Sequence, residues 1–214
     1  LEIVVISDTH NLHKYLELPD GDMIIHAGDF CTWGKPQEAM VFKQWFSQLP
    51  YKYKVCIAGN HDRCMESIPA LALDFKSAGI YYLLDDEVVI EDIKIYGSPY
   101  TPEFGPFAFM YKRGNRSWHV IPDDTDILVT HGPPYGILDL CPDGFVAGCK
   151  DLLQRISELK DLKYHIFGHI HEGYGIEGKH INASNHPLLW KKSGGPDIDP
   201  RFADKEYKPI IVEI

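Results

Sequence analysis

The feature that most constrains this chain is a set of five short polar clusters, each at or just beyond the end of a run of β-branched and apolar residues. They are Asp8-Thr-His10, Gly28-Asp29, Gly59-Asn60-His61-Asp62, Thr130-His131-Gly132-Pro133-Pro134 and Gly168-His169-Ile170-His171. The runs before them, 2–6, 22–27, 53–58, 126–130 and 164–167, read as strands. Strand–helix–strand order over residues 1–60 implies a right-handed parallel unit. In an open α/β sheet the carboxyl ends of parallel strands converge on one crevice, so residues as far apart as Asp8 and His171 can meet there.

Further strands are expected at 87–91, 93–97, 179–183 and 209–213, with antiparallel pairing at 87–97 and after 163. Pro36 suits the first turn of a helix over 37–48, where Met40, Val41, Gln44 and Trp45 recur at helical spacing. Helices are also expected over 66–77, closed by Gly79, and over 150–159. The fold class is mixed α/β with more than one sheet layer, in a single domain over 1–214. The Pro- and Gly-rich stretch 186–208 reads as a lid or a surface loop, and 98–105 as a second rim segment.

The 214 residues carry 21 Lys+Arg against 31 Asp+Glu, a formal charge of −10, with 44% hydrophobic residues. A chain of this length buries enough surface to fold without disulfide staples. No apolar run approaches the roughly 18 residues of a membrane span. The acidic balance argues against polymeric nucleic acid or an anionic membrane as partner and leaves a small anionic substrate open. Cys31, Cys56, Cys64, Cys141 and Cys149 are odd in number and form no C-x-x-C pair, which fits reduced thiols. Reduced thiols make the expected location cytoplasmic.

Carboxylate oxygens, imidazole nitrogens and an amide oxygen, with no thiolate, suit Mn, Fe, Zn or Co. Six or seven donors are too many for one tetrahedral site and fit two ions sharing a carboxylate at about 3.5–4 Å separation. Asp29 is the natural bridge because it ends the second, central strand. Asp8 and His10 are two residues apart, so an extended backbone would point both to one side. His169 and His171 share that spacing, although a strand-end turn can send them to different ions.

In this order and spacing the clusters resemble the calcineurin-like metallophosphoesterase superfamily, whose pattern is D-x-H, G-D, G-N-H-[DE], a single H, and G-H-x-H. The resemblance runs from Asp8 to His171 with every ligand position filled. More narrowly, Thr-His131-Gly-Pro-Pro, Tyr96-Gly-Ser-Pro-Tyr-Thr-Pro102, His171-Glu-Gly-Tyr-Gly175 and Ile181-Asn-Ala-Ser184 are similar to the metallophosphoesterase-domain-containing (MPPED) subgroup, whose members act on cyclic nucleotides and related phosphodiesters. Some of those members carry Gly where this chain has His169. The resemblance implies a four-layer α/β/β/α sandwich of two mixed sheets flanked by helices. It assigns Asp8, His10, Asp29 and His171 to one divalent ion and Asp29, Asn60, His131 and His169 to the other, with Mn favoured. It leaves His61 as the proton donor to the leaving oxygen, with a hydroxide bridging the ions as nucleophile.

Taken singly, the short motifs carry little weight. Gly59-Asn60 alone fits a turn that ends a strand, though it gives no reason for His61. His26 reads as a hydrogen-bonded core residue, and His13, His119, His165, His180 and His186 as surface or packing residues. Asp62 reads equally as a support for His61 or the backbone and as a plain turn carboxylate. Arg63 and Tyr100 are candidate substrate contacts, and Trp33, Phe104 and Phe107 could stack on a base or cover the core. The function expected is a binuclear metal-dependent phosphodiesterase for small phosphoesters or nucleotides. Only Arg63, Lys112, Arg113 and Arg116 stand near the expected rim, which favours a monoanionic diester over a monoester dianion. A phosphomonoesterase or nucleotidase is the alternative, and a non-catalytic metal-binding interaction module is the rival from another class.

Overall fold

The computed structural model describes residues 1–185, 188–190, 196–198 and 207–214. In its first strand, Glu2–Ile6, Ile3 and Val5 enter one apolar cluster while Val4 and Ile6 enter another. A strand covered on both faces in this way has no polar side, hence its continuous apolar sequence. It belongs to a five-stranded sheet ordered Ile210–Glu213, Glu2–Ile6, Met23–His26, Tyr53–Cys56, Tyr81–Tyr82, in which only Ile210–Glu213 pairs antiparallel. A six-stranded sheet is ordered Gly175–Glu177, His180–Asn182, Tyr164–Phe167, Ile127–Thr130, Ile93–Ser98, Asp86–Ile90, with its four inner strands parallel and both outer ones antiparallel.

The sheets face each other through Ile3, Val5, Met23, Ile25 and Val55 on one side and Ile95, Ile127, Val129, Ile166 and Ile181 on the other. Outside the first sheet, Pro36–Ser47 and Ala70–Ser77 press Phe42, Phe46 and Phe75 against Val4, Ile6 and Ile24. Each such side chain contributes about 1.5–3 kcal/mol by leaving water. Outside the second sheet, Lys150–Glu158 packs Leu152 and Ile156 on Tyr96 and Leu128. The result is a four-layer α/β/β/α sandwich of two mixed sheets. At one end the layers touch: Ser7 and Ser184 form a parallel bridge, and the Asn185 amide donates to the Ser7 carbonyl at 2.8 Å. Both sheets therefore deliver their strand ends to one edge.

Two sequence expectations need correction. The helix expected over 66–77 is two helices, Arg63–Ser67 and Ala70–Ser77. Ile68 precedes Pro69 and takes φ −129°, ψ 79°, because a residue before proline is driven out of the helical region. The antiparallel pair after 163 is Gly175–Glu177 with His180–Asn182, whereas Tyr164–Phe167 pairs parallel to His180–Asn182. Tyr81–Tyr82, and Thr101–Pro102 paired with Met110–Tyr111, are too short to leave a periodic signal. Of the stretch 186–208 the structure describes two short paired strands, Leu188–Trp190 and Pro196–Ile198, and residues 207–208. A lid role for the remainder lies outside the described residues. Among the described residues no helix is long and apolar enough to cross a membrane.

Candidate metal centre

Several parallel strands end in a left-handed backbone step. Asp8, His10, Asp29 and His169 have φ of 54°, 40°, 58° and 71°, a region that side-chain-bearing residues seldom occupy. Main-chain hydrogen bonds hold the first three: the Asp8 amide donates to the Gly28 carbonyl at 2.9 Å and the His10 amide to the Asp29 carbonyl at 3.0 Å. Asp8 and His10 therefore converge through a tight reversal, and the extended backbone expected from their spacing is not what aims them. Two motif glycines are required by close approach. A Cβ on Gly168 would lie 2.0 Å from Asp8 Oδ2, and one on Gly59 would lie 2.3 Å from Asp29 Oδ1.

One donor atom from each member of three residue groups lies within 4.8 Å of the others: Asp8, His10 and His171; Asp29, His131 and His169; and His10, Asp29 and His61. His169 and His171 thus fall into different groups. The third group places an His61 ring nitrogen as near to Asp29 and His10 as the candidate ligands are to one another. Three imidazoles are fixed from behind, with Nδ1 of His10, His61 and His131 facing the carbonyls of Cys31 (3.0 Å), Thr32 (2.8 Å) and Ala27 (2.9 Å). A carbonyl only accepts, so in the neutral ring Nδ1 carries the hydrogen and Nε2 offers its lone pair to the crevice.

The donor set fits a cation. His131 Nε2 lies 2.9 Å from Asn60 Oδ1 and 3.3 Å from Asp29 Oδ2, three electron-rich atoms that need a proton or a metal among them. Burial alone would lower the His131 pKa, but the Asp29 carboxylate overrides it and raises it to about 9. Burial would likewise raise both carboxyls; His131 holds Asp29 below its usual range, and His171 does the same for Asp8. Burial lowers His10 to about 4 and His169 to about 3, leaving both rings neutral and able to ligate.

Asp62 is no plain turn residue. It is fully buried and accepts the main-chain amides of Asp29 (2.9 Å), Cys31 (2.8 Å) and Gly59 (2.8 Å), so it splints two motif loops together. Ser184 is a partner that residue types alone gave no reason to single out; its hydroxyl donates to Asp8 Oδ2 at 2.8 Å from the other sheet. The Asp8 carboxylate also accepts the His169 amide at 3.0 Å. His26 bridges Thr9 Oγ1 (2.9 Å) and the Gly28 amide (3.2 Å), and His165 sits against Thr130 Oγ1 at 2.8 Å, so both support motif loops from the core.

The two candidate substrate contacts have other partners. Arg63 donates to the Pro106 carbonyl and lies over Phe107, while Tyr100 packs on the core and lies under the Arg116 guanidinium at 4.1 Å. Phe104 and Phe107 reach the centre, with Phe104 5.1 Å from His169 and Phe107 5.2 Å from His61 between ring centroids. Trp33 stands out in solvent.

Comparison with known proteins places this geometry. Metallophosphoesterase domain-containing protein 1 of Homo sapiens is 36% identical over 211 residues, covering 85% of this chain and 65% of that protein. A UPF0046 protein of Caenorhabditis elegans is 36% identical over 192 residues, covering 82% and 65%. A protein of Emericella nidulans named probable rhamnogalacturonate lyase C is 40% identical over 191 residues, covering 83% of this chain but 18% of its own length. The chain thus spans less than two thirds of these relatives. The crystal structure of TT1561 of Thermus thermophilus shares the fold, with a TM-score of 0.60 at 14% identity over 86% of this chain and 88% of that one. Residues 1–173 match the calcineurin-like phosphoesterase model, and this chain belongs to that family.

Proposed function

We propose that the chain is a binuclear metal-dependent phosphodiesterase for small phosphodiesters such as cyclic nucleotides. The observation that carries this reading is the linkage of two donor groups, Asp8–His10–His171 and Asp29–His131–His169, through His10, whose Nε2 lies 3.9 Å from Asp29 Oδ2. Asp8, His10, Asp29 and His171 would hold one divalent ion and Asp29, Asn60, His131 and His169 the other, with Mn the first to supply. Bound there, the cations supply Lewis acidity and lower the pKa of water.

The chain's own residues do the rest. The His61 amide is tied to Asp29 Oδ1 at 2.7 Å and its Nδ1 to the Thr32 carbonyl, which leaves Nε2 facing the crevice, where the imidazolium form can pass its Nε2 proton to the departing ester oxygen and become neutral. Three rim guanidiniums already have partners: Arg63 on Pro106, Arg113 on Ala147 and Gly148, and Arg116 on Asp85 and Ser98. A monoester dianion would call on such groups more than a diester does, which supports the diester. All five thiols are free, which supports a reducing compartment such as the cytoplasm.

The test is a panel of cyclic nucleotides and bis- and mono-nitrophenyl phosphates on Mn-reconstituted protein. Diesters are expected to be preferred, and a strong preference for monoesters refutes that assignment. Asp29→Ala is expected to lose metal and turnover together, while His61→Ala keeps the metal and loses turnover of poor leaving groups. A folded, metal-loaded protein that hydrolyses no phosphoester would favour an interaction module.

A further inference from the structure

Beside the candidate centre opens a cavity of about 270 Å³ whose wall includes His169, Ile170, Pro102, Pro133, Phe104 and Phe145. Phe104 is 53% and Phe145 52% exposed, and neither ring belongs to any of the three buried clusters, so the core does not account for them. Both are nonetheless held. Phe104 stacks on Phe107 with centroids 5.0 Å apart, and Phe107 and Phe104 together form a ledge from His61 to His169. Arg113 lies 5.9 Å over Phe145 and is fastened by two hydrogen bonds of 2.7 Å to the Gly148 and Ala147 carbonyls. Exposed aromatic rings kept in place beside a charged centre are a surface for a flat apolar group.

We propose that this cavity seats an aromatic ring carried by the phosphoester substrate, so that ring-bearing esters are selected over small alkyl ones. The inference rests on the phosphoesterase reading above. Because His169 forms part of the wall, a ring seated there keeps its phosphorus-bearing end against the donor groups.

The experiment measures binding by calorimetry to Mn-loaded protein, using methylphosphonate, phenylphosphonate and benzylphosphonate, which have no ester bond to cleave. At least one aryl compound is expected to bind about tenfold or more tightly than methylphosphonate, the order of one aromatic stacking contact. Phe104→Ala and Phe145→Ala, both at exposed positions, are expected to cut that preference to about threefold or less, with metal content and the methylphosphonate Kd unchanged. Equal binding of all three compounds to the wild type, or an aryl preference that survives both substitutions, overturns the cavity assignment and leaves the phosphoesterase reading standing. Failure of all three to bind metal-loaded protein also overturns the cavity assignment, whereas failure to hydrolyse any phosphoester of the panel above refutes the phosphoesterase reading.

Discussion

Replacing Asp62 tests whether the site is held by its backbone splint. In Asp62→Ala the amides of Asp29, Cys31 and Gly59 lose their shared acceptor in a region with no exposure of Asp62 to solvent. A buried donor left unsatisfied costs about 1–3 kcal/mol, so three give about 3–9 kcal/mol before water entering the vacated space recovers part of it. We expect about 3–5 kcal/mol, the upper end of what single substitutions do. In a domain of this size that lowers Tm by about 6–20 °C, at 2–4 °C per kcal/mol.

Asp62→Asn sharpens the test. Its carbonyl oxygen can still accept from Asp29 and Gly59, which share Oδ2, but its NH₂ then faces the Cys31 amide. One bond is lost, for about 1–3 kcal/mol. Thermal and urea unfolding, with metal affinity measured on the same samples, should rank the variants wild type, Asn, Ala. The Ala variant should also bind metal more weakly, because Asp29 and Gly59 are no longer pinned. Stability of Asp62→Ala within about 0.5 kcal/mol of wild type, the range of an ordinary surface change, would refute the splint.

Gly168→Ala places a Cβ 2.0 Å from Asp8 Oδ2 and 2.2 Å from Ser7 Oγ, so loss of metal and a lower Tm are expected in unfolding and elemental analysis, and a normal metal content would contradict the contact. The raised pKa of His131, about 9, means that a metal entering at pH 7 displaces its proton; affinity should climb by at least about tenfold per pH unit from 6.5 towards 9, and a flat calorimetric profile would be inconsistent with this. In the metal-free chain the same proton stabilises the fold fully below pH 6.5, and that contribution is lost as the pH rises through about 9. His26→Leu strips the Thr9 hydroxyl and the Gly28 amide of their imidazole partner, so metal affinity should fall although no candidate ligand has changed; unchanged affinity would make His26 a packing residue only.

The donors were legible in the sequence because each sits where a strand must stop, and strands buried on both faces announce themselves as continuous apolar runs. Helix ends set by proline chemistry were less visible: Pro69 splits 66–77, although the stretch keeps a helical apolar pattern. Support residues were legible only in outline, Asp62 as a support or a plain turn carboxylate and His26 as a hydrogen-bonded core residue, with their partners unread. Asp62, His26 and Ser184 act through contacts whose partners lie 33, 17 and 176 residues away, and nothing in their own spacing reports these. Position along the chain placed Arg63, Arg113 and Arg116 near the expected rim, but their guanidiniums are occupied by carbonyls, Asp85 and Ser98, which only side-chain geometry reveals.

The protonation pattern ties these observations together. Two buried carboxylates in one crevice would repel strongly if nothing positive lay between them. In the metal-free chain the His131 proton supplies that charge, held against burial by the Asp29 carboxylate, and Asp8 raises His171 in the same direction. His10 and His169 stay neutral, so the centre has one position already balanced by a removable proton and two rings able to ligate. Metal entry at His131 would then exchange that proton for another cation. The same exchange moves the crevice towards positive charge inside a chain whose formal total is −10. On the proposed function, a small phosphoester would be drawn to that crevice, while the net charge of −10 would oppose a long polyanion.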